Sequence, residues 1–80
     1  MDIRAQTIRV LQELEPVEAI EEEMLLMEEL GLDSLSMVTL LILLEDAFQI
    51  AFREEDMNPF DLRTAGDVIR LVEAYLEEAE

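Results

Sequence analysis

The chain contains no cysteine, no histidine, no tryptophan and no lysine. Without cysteine there is no disulfide and no thiolate nucleophile, and without histidine there is no imidazole base; together the two absences remove the usual zinc ligands. Any reactive thiol therefore has to be brought in from outside the chain. Glycine and proline are scarce, at two each, while 51% of the residues are hydrophobic, so the composition suits a folded core rather than disorder. Long apolar runs are missing as well. The longest block, Leu40 to Leu44, is too short to span a bilayer, and Met1-Asp2-Ile3-Arg4 opens no stretch of signal-peptide length. A cytoplasmic protein that does not insert into a membrane is expected. Positive charge is the remaining scarcity: five arginines face 21 acidic residues, for a net charge of −16. Nucleic acid is excluded as a natural ligand, since binding it draws on clustered Lys and Arg, and the fitting partner is a protein with a basic patch. Eighty residues make one domain, 1–80, expected to be a monomer. At that size only about 60% of the unfolded surface is buried, which leaves no room for an enclosed active site.

Along the chain, Ile3, Thr7, Val10, Leu11 and Leu14 recur at helical spacing, and Pro16 stops the pattern, which predicts a first helix over 2–14. From Glu15 to Asp33 no single period holds. Val17, Ile20, Met24, Leu26, Met27 and Leu30 are strung among glutamates, as in a long ordered connection pinned to the core by its apolar residues, with at most one helical turn. The second helix is predicted over 34–48. At about 100° per residue, Met37, Leu40, Leu41, Leu44 and Phe48 gather on one side, with Leu35, Val38 and Ile42 nearly opposite. One face goes to the core, and the other is either covered by neighbouring segments or left as a contact patch. Gln49 to Phe52 reads as an extended link, and Arg53 to Asp56 as a mobile acidic one. Asn58-Pro59 signals a turn or the start of a short helix around 59–63, with Phe60 and Leu62 filling gaps between the longer helices. Thr64 opens the last helix, with Asp67 as its reciprocal cap. Ala65, Val68, Ile69, Val72, Tyr75 and Leu76 form the buried stripe of that helix, and Glu73, Glu77, Glu78 and Glu80 its solvated side. Tyr75 on such a stripe is read as core rather than as a functional phenol. The elements add up to an all-α chain of three longer helices and one short one.

The most informative stretch is Glu29-Leu30-Gly31-Leu32-Asp33-Ser34-Leu35. Gly31 can adopt a backbone conformation closed to other residues and so ends the connection, while Asp33 can accept hydrogen bonds from the first free N–H groups of the helix that follows. Ser34 then falls in the first turn, at a chain corner where a second protein can reach its hydroxyl. A serine there is by itself only a helix-start residue. The Leu-Gly-Leu lead-in, the long apolar helix ending in Glu45-Asp46-Ala47-Phe48, and the acidic 80-residue length add a context.

In that context Leu-Gly-Leu-Asp-Ser-Leu resembles the prosthetic-group site of the acyl carrier protein family. The resemblance covers essentially the whole chain and implies a small four-helix bundle with a long loop between helices 1 and 2. It implies further that Ser34 carries 4′-phosphopantetheine, attached covalently from coenzyme A by a phosphopantetheinyl transferase. A phosphodiester needs an alcohol oxygen, and the arm ends in the thiol that the chain lacks. The partners implied are acyl-transfer or condensing enzymes with basic patches, in a fatty-acid, polyketide or specialised acyl pathway. Carried over by position, Asp33, Glu45 and Asp46 supply the acidic part of partner recognition and Leu35, Val38 and Ile42 the apolar part. Ser36 and Thr39 stand where acidic residues often occur in the fatty-acid type. That departure keeps an aminoacyl or peptidyl carrier of a nonribosomal-peptide-type pathway as the alternative cargo class, and an unmodified acidic helical interaction domain as the alternative without cargo.

An enzyme is hard to assemble from these residues, because the carboxylates lie in runs typical of a solvated face rather than paired across a cleft. A non-catalytic carrier is expected. A calcium loop is excluded too, since neither Gly31 nor Gly66 sits inside a spaced Asp/Asn ladder ending in Glu, and no metal is expected.

Overall fold

The computed structural model describes residues 2–58 and 61–79. Among the described residues there are three α-helices: α1, Ile3–Leu14; α2, Ser34–Phe48; and α3, Ala65–Ala79. Among the described residues there is no strand, only an isolated antiparallel bridge between Leu25 and Thr64. All three long helices stand within one residue of their expected starts. The short helix expected around 59–63 falls partly on Pro59 and Phe60, which lie outside the described residues, as does Glu80. Within the described part of that span Asp61 has 3-10 conformation, and a further 3-10 turn lies at Glu54–Asp56, so the acidic segment read as a mobile link has a defined fold.

Helix α1 is capped by the Asp2 carboxylate, which accepts from the Ala5 N–H at 3.0 Å. Thr7, Val10 and Leu11 are buried on its inner face, with Ile3 and Leu14 half-buried at its ends. This helix packs against both α2 and α3, whereas α2 and α3 have no comparably extensive approach to each other. In α2 the two apolar sides divide cleanly. Met37, Leu40, Leu41, Leu44 and Phe48 enter the core, and the opposite side remains in solvent. Burial of this kind contributes about 1.5–3 kcal/mol per large aliphatic side chain.

The connection 15–33 behaves as its apolar residues imply. Ile20, Leu26 and Leu30 are buried and Val17, Met24 and Met27 half-buried, with one helix-like hydrogen bond from the Glu29 N–H to the Leu25 carbonyl at 2.9 Å. Its backbone also caps α3. The Ala65 and Gly66 N–H groups donate to the Met24 and Glu22 carbonyls at 3.1 and 2.9 Å, satisfying donors that a helix start otherwise leaves free. A side chain at Gly66 would meet the Glu22 carbonyl oxygen at 3.2 Å, which explains the small residue at this crossing. The reciprocal cap is formed as expected. Thr64 Oγ1 accepts from the Asp67 N–H at 3.1 Å, and the Asp67 carboxylate accepts from the Thr64 and Arg63 N–H groups at 3.1 and 3.0 Å. Burial pushes the Asp67 carboxyl upward, but these two bonds and Arg70 outweigh it and leave the group below its ordinary value. Ala65, Val68, Ile69, Val72 and Tyr75 line the buried face of α3, and Leu76 is half-buried at its edge. No helix among the described residues is long and apolar enough to cross a membrane.

Candidate functional site

The corner that leads into α2 is fixed from both sides. Leu30 and Leu32 are buried, and their N–H groups donate to the Leu25 and Leu26 carbonyls at 3.1 and 3.0 Å. Gly31 between them has φ of +75° with nothing within 4 Å of the position a Cβ would take, so backbone conformation rather than space calls for glycine. Asp33 follows in extended conformation as the N-cap. Its Oδ1 accepts from the Ser36 N–H at 2.7 Å and its carbonyl from the Met37 N–H at 2.9 Å. The Ser36 N–H, and after it the Ser36 hydroxyl, hold the Asp33 carboxyl below its ordinary value.

Three hydroxyls lie in the first turns of α2, and their surroundings differ. Ser36 is half-buried beside the Asp33 carboxylate that binds its N–H, and the Thr39 Oγ1 donates to the Leu35 carbonyl at 3.1 Å. Ser34 is exposed, and its hydroxyl has no hydrogen-bond partner among the described residues. It is the first residue of α2, at the positive end of the helix dipole, where an added anion is favoured by up to about 1 kcal/mol. An anionic group on Ser34 therefore meets the repulsion of Asp33 on one side and this partial positive charge on the other. The oxygen is free, reachable and directed by the helix, which is the donor chemistry that a phosphodiester linkage requires.

The remaining candidate residues run down the same outer side of α2. Leu35, Val38 and Ile42 are 74%, 37% and 54% exposed, so this side is left open rather than covered. At its far end, Ile42, Glu45, Asp46, Gln49, Ile50 and Ala51 line a shallow depression of about 540 Å³. The two acidic residues there are not equivalent. The Glu45 carboxylate accepts from the Phe52 N–H at 2.8 Å, while Asp46 is exposed and contributes its backbone carbonyl to the Gln49 side chain at 2.7 Å. Among the described residues no group of three acidic side chains is placed to hold a metal ion.

Sequence reasoning missed a second cluster, in the link that follows the C-terminal end of α2. The Tyr75 hydroxyl accepts from the Arg53 N–H at 2.8 Å and donates to the Asp56 carboxylate. Tyr75 is core, as expected, and also a hydrogen-bonding centre. No motif announces this, since the acid and the tyrosine lie 19 residues apart and meet only through the fold.

Comparison with known proteins places this geometry in a family. The family described as a phosphopantetheine attachment site matches residues 3–72, which take in α1, the Ser34 corner, α2 and the first half of α3. An acyl carrier protein of Wolinella succinogenes is 39% identical over 56 residues, covering 70% of this chain and 71% of the relative. Meromycolate extension acyl carrier proteins of Mycolicibacterium aurum and Mycolicibacterium smegmatis are each 34% identical over 74 residues, covering 92% of this chain and 73% and 72% of the relatives. With a free serine hydroxyl leading an apolar helix, and matches of this extent, the chain belongs to the acyl carrier protein family, whose prosthetic group is phosphopantetheine.

Proposed function

We propose that Ser34 is the attachment point and that residues 1–80 act as a single acyl carrier domain, a four-helix bundle with no catalysis of its own. The observation that carries the assignment is the place of Ser34: it is the first residue of α2, exposed and without a hydrogen-bond partner among the described residues, whereas Ser36 is half-buried with its N–H bound by Asp33 and the Thr39 hydroxyl donates to the Leu35 carbonyl. The Asp61 N–H donates to the Asn58 carbonyl at 3.1 Å, a bond of the i, i+3 kind that supports a short helical element in this part of the bundle. When bound, the arm supplies a thiol whose thioester keeps an acyl group activated for transfer. The chain's own residues provide address and orientation. Asp33 fixes the first turn of α2, Gly31 and the buried Leu30 and Leu32 fix the corner, and Ser34 presents its oxygen outward. The cargo is an acyl group, the class that the relatives' names give, in preference to an aminoacyl or peptidyl group.

Partner enzymes meet the outer side of α2. Leu35, Val38 and Ile42 supply apolar contact, and Asp46 the free charge, within the set formed with Asp33 and Glu45. Apolar burial contributes about 25 cal/mol per Å² before association costs. Ser36 and Thr39 add no charge to this side, so affinity leans on the apolar residues.

Incubation with coenzyme A, magnesium ion and a broad-specificity phosphopantetheinyl transferase tests the assignment by intact mass. The wild-type chain and Ser36→Ala should gain one arm, and Ser34→Ala none while keeping its helical circular dichroism. Ser36 lies about 200° further round the helix, so a label that survives in Ser34→Ala and disappears in Ser36→Ala moves the site. No gain in any of the three leaves an unmodified interaction domain.

A further inference from the structure

Two neighbouring backbone amides in the link after α2 are held by side chains from different helices. The Phe52 N–H donates to Glu45 of α2 at 2.8 Å, and the Arg53 N–H donates to the hydroxyl of Tyr75 of α3 at 2.8 Å. The second arm is the more elaborate. The Phe52 ring stands edge-on to Tyr75 with centroids 5.0 Å apart, and the Arg53 guanidinium lies 5.0 Å over the same ring. The Tyr75 hydroxyl also binds Asp56, and Arg53 pairs with Glu78 of α3 at 3.6 Å. Helix α1 packs against both α2 and α3, whereas α2 and α3 approach each other sparsely. The core joins the two helices through buried residues of both, among them Leu40, Leu44, Val68 and Val72, and the 52–53 link adds a hydrogen-bonded bridge to that packing.

We propose that Phe52 and Arg53 form a two-armed staple that sets the separation of α2 and α3, and that the staple opens at its Glu45 arm first. That arm is a single hydrogen bond to a half-exposed carboxylate, whereas the Tyr75 arm combines hydrogen bonds, ring packing and a cation over the ring. Gln49 provides the hinge on the α2 side. It ends the helix with φ of 55°, a left-handed conformation that few residues other than glycine hold without support, and its side chain is tied back to the Asp46 carbonyl. Release of Phe52 from Glu45 swings the 49–53 link away from α2 about Gln49 while Tyr75 retains its far end. The buried Phe52 side chain moves with the link, so the gap between α2 and α3 widens locally and α1 keeps both helices in place. This device is independent of what Ser34 carries.

Native-state amide exchange on the full chain tests it, with Glu45→Ala, Glu45→Gln and Tyr75→Phe beside the wild type. Loss of a hydrogen bond to a charged group predicts that Glu45→Ala speeds exchange of the Phe52 amide about tenfold. Under the proposal the Arg53 amide is nearly unaffected in that variant, Glu45→Gln restores part of the Phe52 protection, and Tyr75→Phe exposes both amides. Through all of these, the Leu41 and Leu44 amides of α2 keep their wild-type protection. Equal loss at Phe52, Arg53, Leu41 and Leu44 in Glu45→Ala would overturn the staple, because the link would then open only with the whole domain. Absence of protection at Phe52 in the wild type would do the same.

Discussion

Replacement of Thr7 by valine should make the protein more stable. Thr7 lies on the inner face of α1 with no solvent exposure, and its Oγ1 has no hydrogen-bond partner among the described residues. A helical threonine can return its proton to the carbonyl four residues back, but no such bond is made here. A buried polar group left unsatisfied costs about 1–3 kcal/mol. Valine keeps the branched shape, puts a methyl where the hydroxyl was, and has nearly the same helix propensity as threonine, so the backbone contribution cancels. The expected gain is about 1 kcal/mol at the low end, equivalent to a rise of about 4–8 °C in Tm for a domain of this size. Urea unfolding followed by circular dichroism should show a higher midpoint with an unchanged slope. Serine is the complementary change, keeping the hydroxyl and losing the methyl, and it should lower the midpoint, giving the order valine, threonine, serine. A valine variant no more stable than wild type would show that the hydroxyl is satisfied in solution, and the reasoning from its isolation would fail.

Sixteen excess negative charges repel one another more strongly in the folded body than in the unfolded chain. Tm should therefore rise from low to physiological ionic strength, and a flat or falling curve would contradict that balance. Burial, and after it the Asp56 carboxylate, raises the Tyr75 phenol above its ordinary value of 10.0. The stability it contributes is complete below the unfolded value and is lost as pH climbs through the higher folded one. Tyr75→Phe should flatten this alkaline limb, and an unchanged limb would locate the loss elsewhere. At the outer side of α2, Ile42→Ala should speed dissociation from a cognate partner enzyme more than Asp46→Asn does, while the charge change acts mainly on the association rate. Binding kinetics with the reverse order would show that charge, rather than apolar contact, holds the complex.

The parts of the fold that were legible in the sequence are those whose causes are local. Helix α2 begins at Ser34 because the carboxylate and carbonyl of Asp33 take the next free amides, and Gly31 supplies the left-handed corner just before. The Thr64 and Asp67 cap is likewise contained within four residues. The connection 15–33 was legible only in part. Its apolar residues announce that it is pinned, but the partners of its backbone are distant: the Leu26 N–H reaches the Arg63 carbonyl at 2.9 Å, and the Glu22 and Met24 carbonyls cap α3. Nothing in the spacing of either segment encodes that meeting. The 3-10 turn at Glu54–Asp56 escaped for the same reason, since what gives the acidic run its place is an aromatic side chain on another helix.

The candidate site divides along the same line, and the two acidic residues at the end of α2 show why. As neighbours in sequence, Glu45 and Asp46 look interchangeable, and charge counting credits both to a partner surface. The left-handed residue Gln49 turns the chain back so that the Phe52 N–H lies over Glu45. A carboxylate that satisfies a part-buried amide cannot be drawn outward without leaving that donor unpaired. Asp46, one residue on and about 100° round the helix, faces solvent and carries no such obligation. The Asp33 cap likewise separates Ser34, exposed at the start of α2, from Ser36, half-buried with its N–H bound by Asp33. On this surface the availability of a group is fixed by the backbone donors around it rather than by its type, so under the proposed function formal charge overstates what a partner would grip, and the exposed apolar row of Leu35, Val38 and Ile42 would gain the weight that Glu45 and Asp33 give up to the fold.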